Sequence, residues 1–272
     1  MIKKFIVFGL ILLSIFSVSG QDKSDLSYGN QVNDDHIKTV QLYREGWNLS
    51  FPAIKLNSGE KLELHFDLLS DHPENYYYTF IHCNKDWQKS DIFINDYTYG
   101  FPENQIEEYK PSFNTTVSYY HYKLIFPNDR VNLKLSGNYI IQIYKPEEPE
   151  EPVISQRFII SEENTEITIM AHRPQMADSS DEGQQVDFNV KFTGASVVDP
   201  YRNIYSFILQ NGRWDNAKTN LKPEQTGNNE LRYNSLSDKN IFKGGNEFRY
   251  FDIRSIRYLT EYVRKIDYSA PN

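Results

Sequence analysis

Lys61-Leu62-Glu63-Leu64-His65-Phe66-Asp67-Leu68 decides the fold class. Leu62, Leu64, Phe66 and Leu68 share one side, and Lys61, Glu63, His65 and Asp67 share the other. An apolar period of two marks a strand with one buried face. Turn formers bracket it, Asn57-Ser58-Gly59 before and Asp71-His72-Pro73-Glu74-Asn75 after. The apolar run 76–83 reads as a second strand and stops at the polar break Asn84-Lys85-Asp86.

Outward from this pair the same pattern recurs. Residues 37–43 form a strand signal, and 119–126 repeat the alternation with Tyr120, Tyr122, Leu124 and Phe126 on one side. Residues 131–135 and 138–144 follow, separated by Ser136-Gly137. The tip Pro146-Glu147-Glu148-Pro149-Glu150-Glu151-Pro152 then turns the chain into a strand over 153–160, because proline cannot donate to a ladder. Residues 87–114, with Gly100, Pro102 and Pro111, read as a long irregular loop of the kind that often carries function. In the second half, strands are predicted over 166–171, 186–192, 204–210, 230–233 and 247–253. Asn211-Gly212 and Gly244-Gly245 read as turns. Residues 256–263 read as a strand or a short helix. Many short strands with almost no helical periodicity predict an all-β protein of two tandem β-sandwich (Ig-like) domains, 36–162 and 163–272.

The first residues read as an export signal. Met1-Ile2-Lys3-Lys4 is positive, 5–16 is apolar, and Ser17-Val18-Ser19-Gly20 is small and polar, so 1–20 is a signal peptide cleaved after Gly20. Residues 21–35 read as a flexible leader. The apolar run is short for a span, so no direct membrane span is expected after cleavage. The net charge is −8, and loss of Lys3 and Lys4 makes it −8 − 2 = −10. Such a chain repels phosphate backbones, so nucleic acid is not an expected partner. A single cysteine, Cys83, excludes an internal disulfide and reads as a small buried apolar group. With 20 Tyr and 17 Phe the chain favours strands and suits a protein that presents ring-rich contact surface.

The sequence carries no GxSxG, P-loop, GxGxxG or HExxH pattern, and no catalytic residue, metal or cofactor is assigned from it. His65, His72, His82 and Cys83 are close in sequence but match no zinc spacing. On a strand, His82 and Cys83 face opposite ways, and His121, on another strand, is a histidine that could approach the thiol. Two clusters mix rings with polar groups as interface hot spots do. One is Ser112-Phe113-Asn114-Thr115-Thr116 with Tyr119-Tyr120-His121-Tyr122. The other is Gly244-Gly245-Asn246-Glu247-Phe248-Arg249-Tyr250-Phe251-Asp252-Ile253-Arg254.

Several separated motifs, in order, resemble the type IX secretion system plug protein family of the Bacteroidota. They are 76–83 with Asp86-Trp87 and Ser90-Asp91, Ser112-Phe113-Asn114-Thr115, Phe126-Pro127-Asn128 and Leu135-Ser136-Gly137-Asn138-Tyr139. Gln184-Gln185-Val186-Asp187-Phe188, 209–215 and 244–255 complete the set. The resemblance runs from about residue 37 to the end. It implies a non-enzymatic periplasmic protein that docks on the outer-membrane β-barrel translocon and closes its periplasmic opening, with no transferable catalytic residue. Family members continue further, so the second domain is expected to be incomplete. Candidate partner-contact or family-motif residues are His82, Asp86, Trp87, Asp91, Phe113, Asn114, Tyr120, His121, Tyr122, Asn138, Tyr139, Arg213, Trp214, Asn246, Arg249, Tyr250 and Arg254. Two alternatives stand beside this reading. One is a periplasmic or surface glycan-binding sandwich, which requires a flat platform at exposed Trp47, Trp87 or Trp214. The other is a periplasmic hydrolase using a carboxylate or Cys83.

Overall fold

The computed structural model describes residues 29–175, 183–194, 197–227, 229–234, 238–246, 252, 255 and 257–267. The expected signal peptide therefore lies outside the described residues, as does nearly all of the expected strand over 247–253.

Strands dominate from the first described residues. In chain order they are β1 (Gln31–Val32), β2 (Ile37–Arg44), β3 (Ala53–Lys55), β4 (Leu62–Leu68) and β5 (Tyr77–Cys83). A single helical turn, α1 (Ile94–Tyr97), precedes β6 (Thr98–Gly100), β7 (Glu103–Gln105) and β8 (Glu108–Pro111). Next come β9 (Tyr120–Phe126), β10 (Val131–Leu133), β11 (Gly137–Tyr144) and β12 (Ile154–Ser161). The second half holds β13 (Thr165–His172), β14 (Gly183–Phe192), a turn of helix α2 (Pro200–Asn203), β15 (Ser206–Gln210) and β16 (Arg213–Leu221). It closes with β17 (Gln225–Thr226), β18 (Glu230–Tyr233) and β19 (Ile241–Lys243).

Two sheets face each other in the first half. One has the order β1-β12-β11-β5-β7, with β3 parallel to β12, and the other runs β2-β4-β9-β8. The alternation of β4 works as its sequence requires: Leu62, Leu64, Phe66 and Leu68 are all buried. They meet Tyr78, Phe80, Tyr139, Ile141, Ile143 and Phe158 from the opposite sheet in one continuous core. Rings interlock there, with Phe80 at 5.1 Å from Phe126 and 5.7 Å from Phe158, and Phe66 stacked on Tyr122 at 4.8 Å. Offset and edge-to-face pairs of this kind add specific geometry to area burial. The Pro/Glu tip links β11 to β12, whose antiparallel register ends at Ile143 opposite Ile154.

The structure departs from the sequence reading in several places, the short strands β3, β17 and β19 among them. Gln31 and Val32, expected in a flexible leader, pair with Ser155 and Ile154, and Asn33 donates to the carbonyls of Pro152 and Val153. The expected loop 87–114 contains α1, β6, β7 and β8, pieces of three or four residues and thus too short to show a period. β16 went unread because Arg213-Trp214-Asp215-Asn216-Ala217-Lys218-Thr219-Asn220-Leu221 has no apolar alternation. Of 256–263, the described residues form turns, with Val263 N donating to Thr260 O at 3.1 Å, and neither strand nor helix.

The second half builds the sheet β13-β14-β18-β17, joined by β19 on β14, against the hairpin β15-β16. Asn211 (φ 56) and Gly212 (φ 69) both sit in the left-handed region and close that hairpin, as its Asn-Gly pair requires. Phe188, Val190, Leu221, Leu231 and Tyr233 form its small core, while Ile167, Ile169 and Met170 of β13 stay exposed.

Candidate functional site

The outward face of the first sheet is apolar too. Ile81 on β5, Ile140 on β11 and Arg157 on β12 lie in one cross-strand row; Cys83, Asn138 and Ile159 lie in the next. Residues directly opposite share a face. Cys83, Ile140 and Trp87 are buried there, with Ile81, Ile159 and Trp214 packed against them. The cover comes from the second half of the chain: Trp214 on β16 meets Trp87 edge to face at 4.9 Å, and also Phe51 at 6.1 Å and Phe207 at 5.3 Å. The Arg157 guanidinium lies 4.6 Å from the Trp87 ring and 5.3 Å from the Trp214 ring. Lys85 Nζ stands 4.6 Å over Tyr205, a second cation on a ring across the same junction.

Trp87 reaches this position at a cost. Its φ is 63, a genuine outlier for a bulky residue. A tight turn enforces it: Trp87 N donates to Asn84 O, Asn84 N donates to Gln88 O, and Asn84 Oδ1 accepts from Asp86 N and Gln88 N. Asn138 Nδ2 donates to Asn84 O at 3.0 Å and pins the turn to β11. The indole is only 6% exposed. Trp87 and Trp214 are therefore wedged into a joint and form no flat platform.

The other sequence-predicted residues divide into core, surface and undescribed positions. Tyr122 and Tyr139 are fully buried, and their hydroxyls donate to Glu74 O and Leu135 O, both at 2.8 Å. Tyr120 packs on the core edge, 6.1 Å from Tyr109. His82 sits between Tyr97 and Tyr139, with Nδ1 2.7 Å from Ser90 Oγ and Nε2 3.3 Å from Ser136 O. Asp86, Asp91 and Asn114 are exposed, Asp86 pairing with Lys85 at 2.6 Å. Arg213 is exposed and holds Asp215 through two hydrogen bonds of 3.0 and 2.5 Å. Asn246 Nδ2 donates to Gln210 Oε1 at 3.3 Å, next to the β15-β16 turn. Arg249, Tyr250 and Arg254 lie outside the described residues.

Cys83 and His121 are not brought together. Cys83 lies under the joint, where burial pushes its thiol up to about 11. His121 belongs to the other sheet, on β9, and contacts His65 and Asp67. A nucleophile needs the opposite shift, toward thiolate. Among the described residues, no set of three or more His, Cys, Asp or Glu is arranged to hold a metal.

Sequence reasoning missed Arg157, Phe51, Phe207 and Lys85. The available signal was apolar residues on both faces of β5 and β12, which marks a sheet covered on both sides. Exposed rings gather in one stretch of the described surface. Phe93 is 83% exposed, Phe101 70% and Phe113 94%, with Tyr99 also exposed. All four come from 93–113, within the segment expected to be a functional loop.

Comparison with known proteins matches residues 37–162 to the family model described as the type 9 secretion system plug protein first domain. A crystal structure at 2.30 Å resolution of a hypothetical protein from Parabacteroides merdae ATCC 43184 is similar, with a TM-score of 0.79 and 32% identity over 89% of this chain. The chain spans 60% of the length of that relative. The search of curated proteins found no match.

Proposed function

We propose, from the match of residues 37–162 to the type 9 secretion system plug protein first domain, that the protein docks in the periplasm on the outer-membrane β-barrel translocon and seals it when no substrate passes. The role asks for a stiff body and a surface that binds without reacting. The stiff body is the ring-filled core, extended into the second half by the Trp87–Trp214 joint. The binding surface is the set of exposed rings at Phe93, Tyr99, Phe101 and Phe113. That set is the single observation that carries the docking. Large exposed apolar groups lose their contact with water on association, and aromatic anchors dominate protein interfaces. The family's plug role is non-catalytic. The buried, poorly ionised Cys83 does not support a thiol hydrolase, and the wedged Trp87–Trp214 pair does not support a glycan platform at those two rings; Trp47, the third ring of that alternative, is 59% exposed.

Purification of tagged protein from outer-membrane extracts tests the proposal. The expected result is a large barrel protein retained with the wild type and lost with the triple variant F93A/F101A/F113A. Absence of any barrel from the wild-type preparation would overturn it.

A further inference from the structure

On the solvent side of the second sheet four side chains form a chain across two strands. Glu63 Oε2 lies 2.9 Å from His65 Nε2, His65 Nδ1 lies 3.1 Å from His121 Nε2, and His121 Nδ1 lies 2.6 Å from Asp67 Oδ1. Glu63 and Asp67 are otherwise engaged as carboxylates. Glu63 accepts from Gly46 N and faces Lys123 Nζ at 3.7 Å. Asp67 accepts from the Thr39 hydroxyl.

A carboxylate only accepts, so each outer ring nitrogen must carry the hydrogen it donates. The inner nitrogens, His65 Nδ1 and His121 Nε2, stand 3.1 Å apart and share one proton when either ring is an imidazolium; with both rings neutral, each inner nitrogen keeps a lone pair. The arrangement is satisfied when a cation sits between them. The neighbouring strands bring their own groups: β2 offers Tyr43, stacked on His65 at 5.4 Å, and Lys38 opposite Asp67; β9 offers Lys123, already on Glu63; and β8 places Lys110 opposite His121 and Glu108 opposite Lys123.

We propose that His65 and His121 form a site for one late first-row divalent ion, Zn2+ or Cu2+. Two imidazole nitrogens on one tetrahedral ion at ~2.0–2.1 Å stand about 3.3 Å apart, close to the separation here. A histidine whose second nitrogen donates to a carboxylate is the standard support of a ligating imidazole, and both rings have it. The donor set is two neutral nitrogens with carboxylates behind them, which favours late metals over Ca2+ or Mg2+. Solvent fills the remaining positions, because His121 keeps 43% of its side chain exposed. Binding displaces whatever proton the facing nitrogens share, so the proton is the competitor.

The test is titration of the full chain with Zn2+ alone by calorimetry, and with Cu2+ alone by electron paramagnetic resonance. One saturable ion per chain with two nitrogens in the Cu2+ spectrum is expected. H121Q should abolish it, and D67N should weaken it by roughly 10–100-fold, the usual effect of removing a carboxylate behind a ligand. Equal thermal midpoints of the metal-free variants certify folding. No binding, or an isotherm unchanged in H121Q, would mean that the rings hold a proton only and would overturn the proposal. Either outcome leaves the docking proposal untouched, since this face carries none of the rings it uses.

Discussion

Trp87 and Trp214 close on each other edge to face at 4.9 Å, and Trp87 holds a left-handed backbone to get there. One belongs to the family-matched segment and the other to β16. The outer face of β5, β11 and β12 is thereby covered, and Arg157 lies over both rings.

This joint should be measurable as a coupling. W87A removes a buried ring and should cost about 3–5 kcal/mol, the range for a core Trp truncation. A double-mutant cycle with W214A should return an interaction of about 0.5–1.5 kcal/mol for the ring pair. Denaturant unfolding of the four proteins reads it. Strict additivity would remove the pair from the account.

Gly137 supports β11 in a way only glycine allows. Its φ is 147, and a Cβ there would stand 2.5 Å from His82 Nε2. His82 is itself wedged between Tyr97 and Tyr139, so it has no room to withdraw. G137A should lower stability by roughly 1–3 kcal/mol, as strain and overpacking do. A thermal midpoint equal to that of wild type would contradict the packing described.

Alkaline pH should loosen the fold. Burial pushes the Cys83 thiol from 9.0 up to about 11, and burial likewise pushes Tyr122 from 10.0 up to about 12. The contribution of these groups is full below pH 9, where both states keep the protons. Between the unfolded and folded values the unfolded chain releases protons that the folded chain retains, so stability falls as pH rises through 9 to 12. Denaturation midpoints across that window should decline. Thiol labelling at pH 8 should be slow in the native protein and fast in denaturant. Rapid native labelling would show that Cys83 is open.

The exposed rings should matter to binding and not to folding. F113A and F93A remove side chains that are almost wholly in solvent, so each should shift stability by less than about 0.5 kcal/mol. A large loss of stability in either variant would show that the ring packs at home and is not presented to a partner.

Local patterning made much of this legible. The alternations of β4, β9 and β14 placed Leu64, Tyr122 and Phe188 inward because a strand's side chains alternate whatever their partners. The signal fails where structure depends on distant pairing. Nothing in the residues around Arg157 says that Trp214 will cover it, and the polar β16 has no period to read. Glu63, His65 and Asp67 were visible on the solvent side of β4. Their meeting with His121 required the β4-β9 register, which sets His121 opposite Asp67. Short β6, β7 and β8 fall below the length at which a period can be counted.

The sealing role meets its most direct test in envelope permeability. The gene is deleted, and uptake of an antibiotic too large for ordinary porins is measured, with complementation by wild type and by F93A/F101A/F113A. Raised uptake that wild type restores and the triple variant does not is the expected result. Uptake unchanged on deletion, with secretion intact, would contradict the claim that this protein closes the channel.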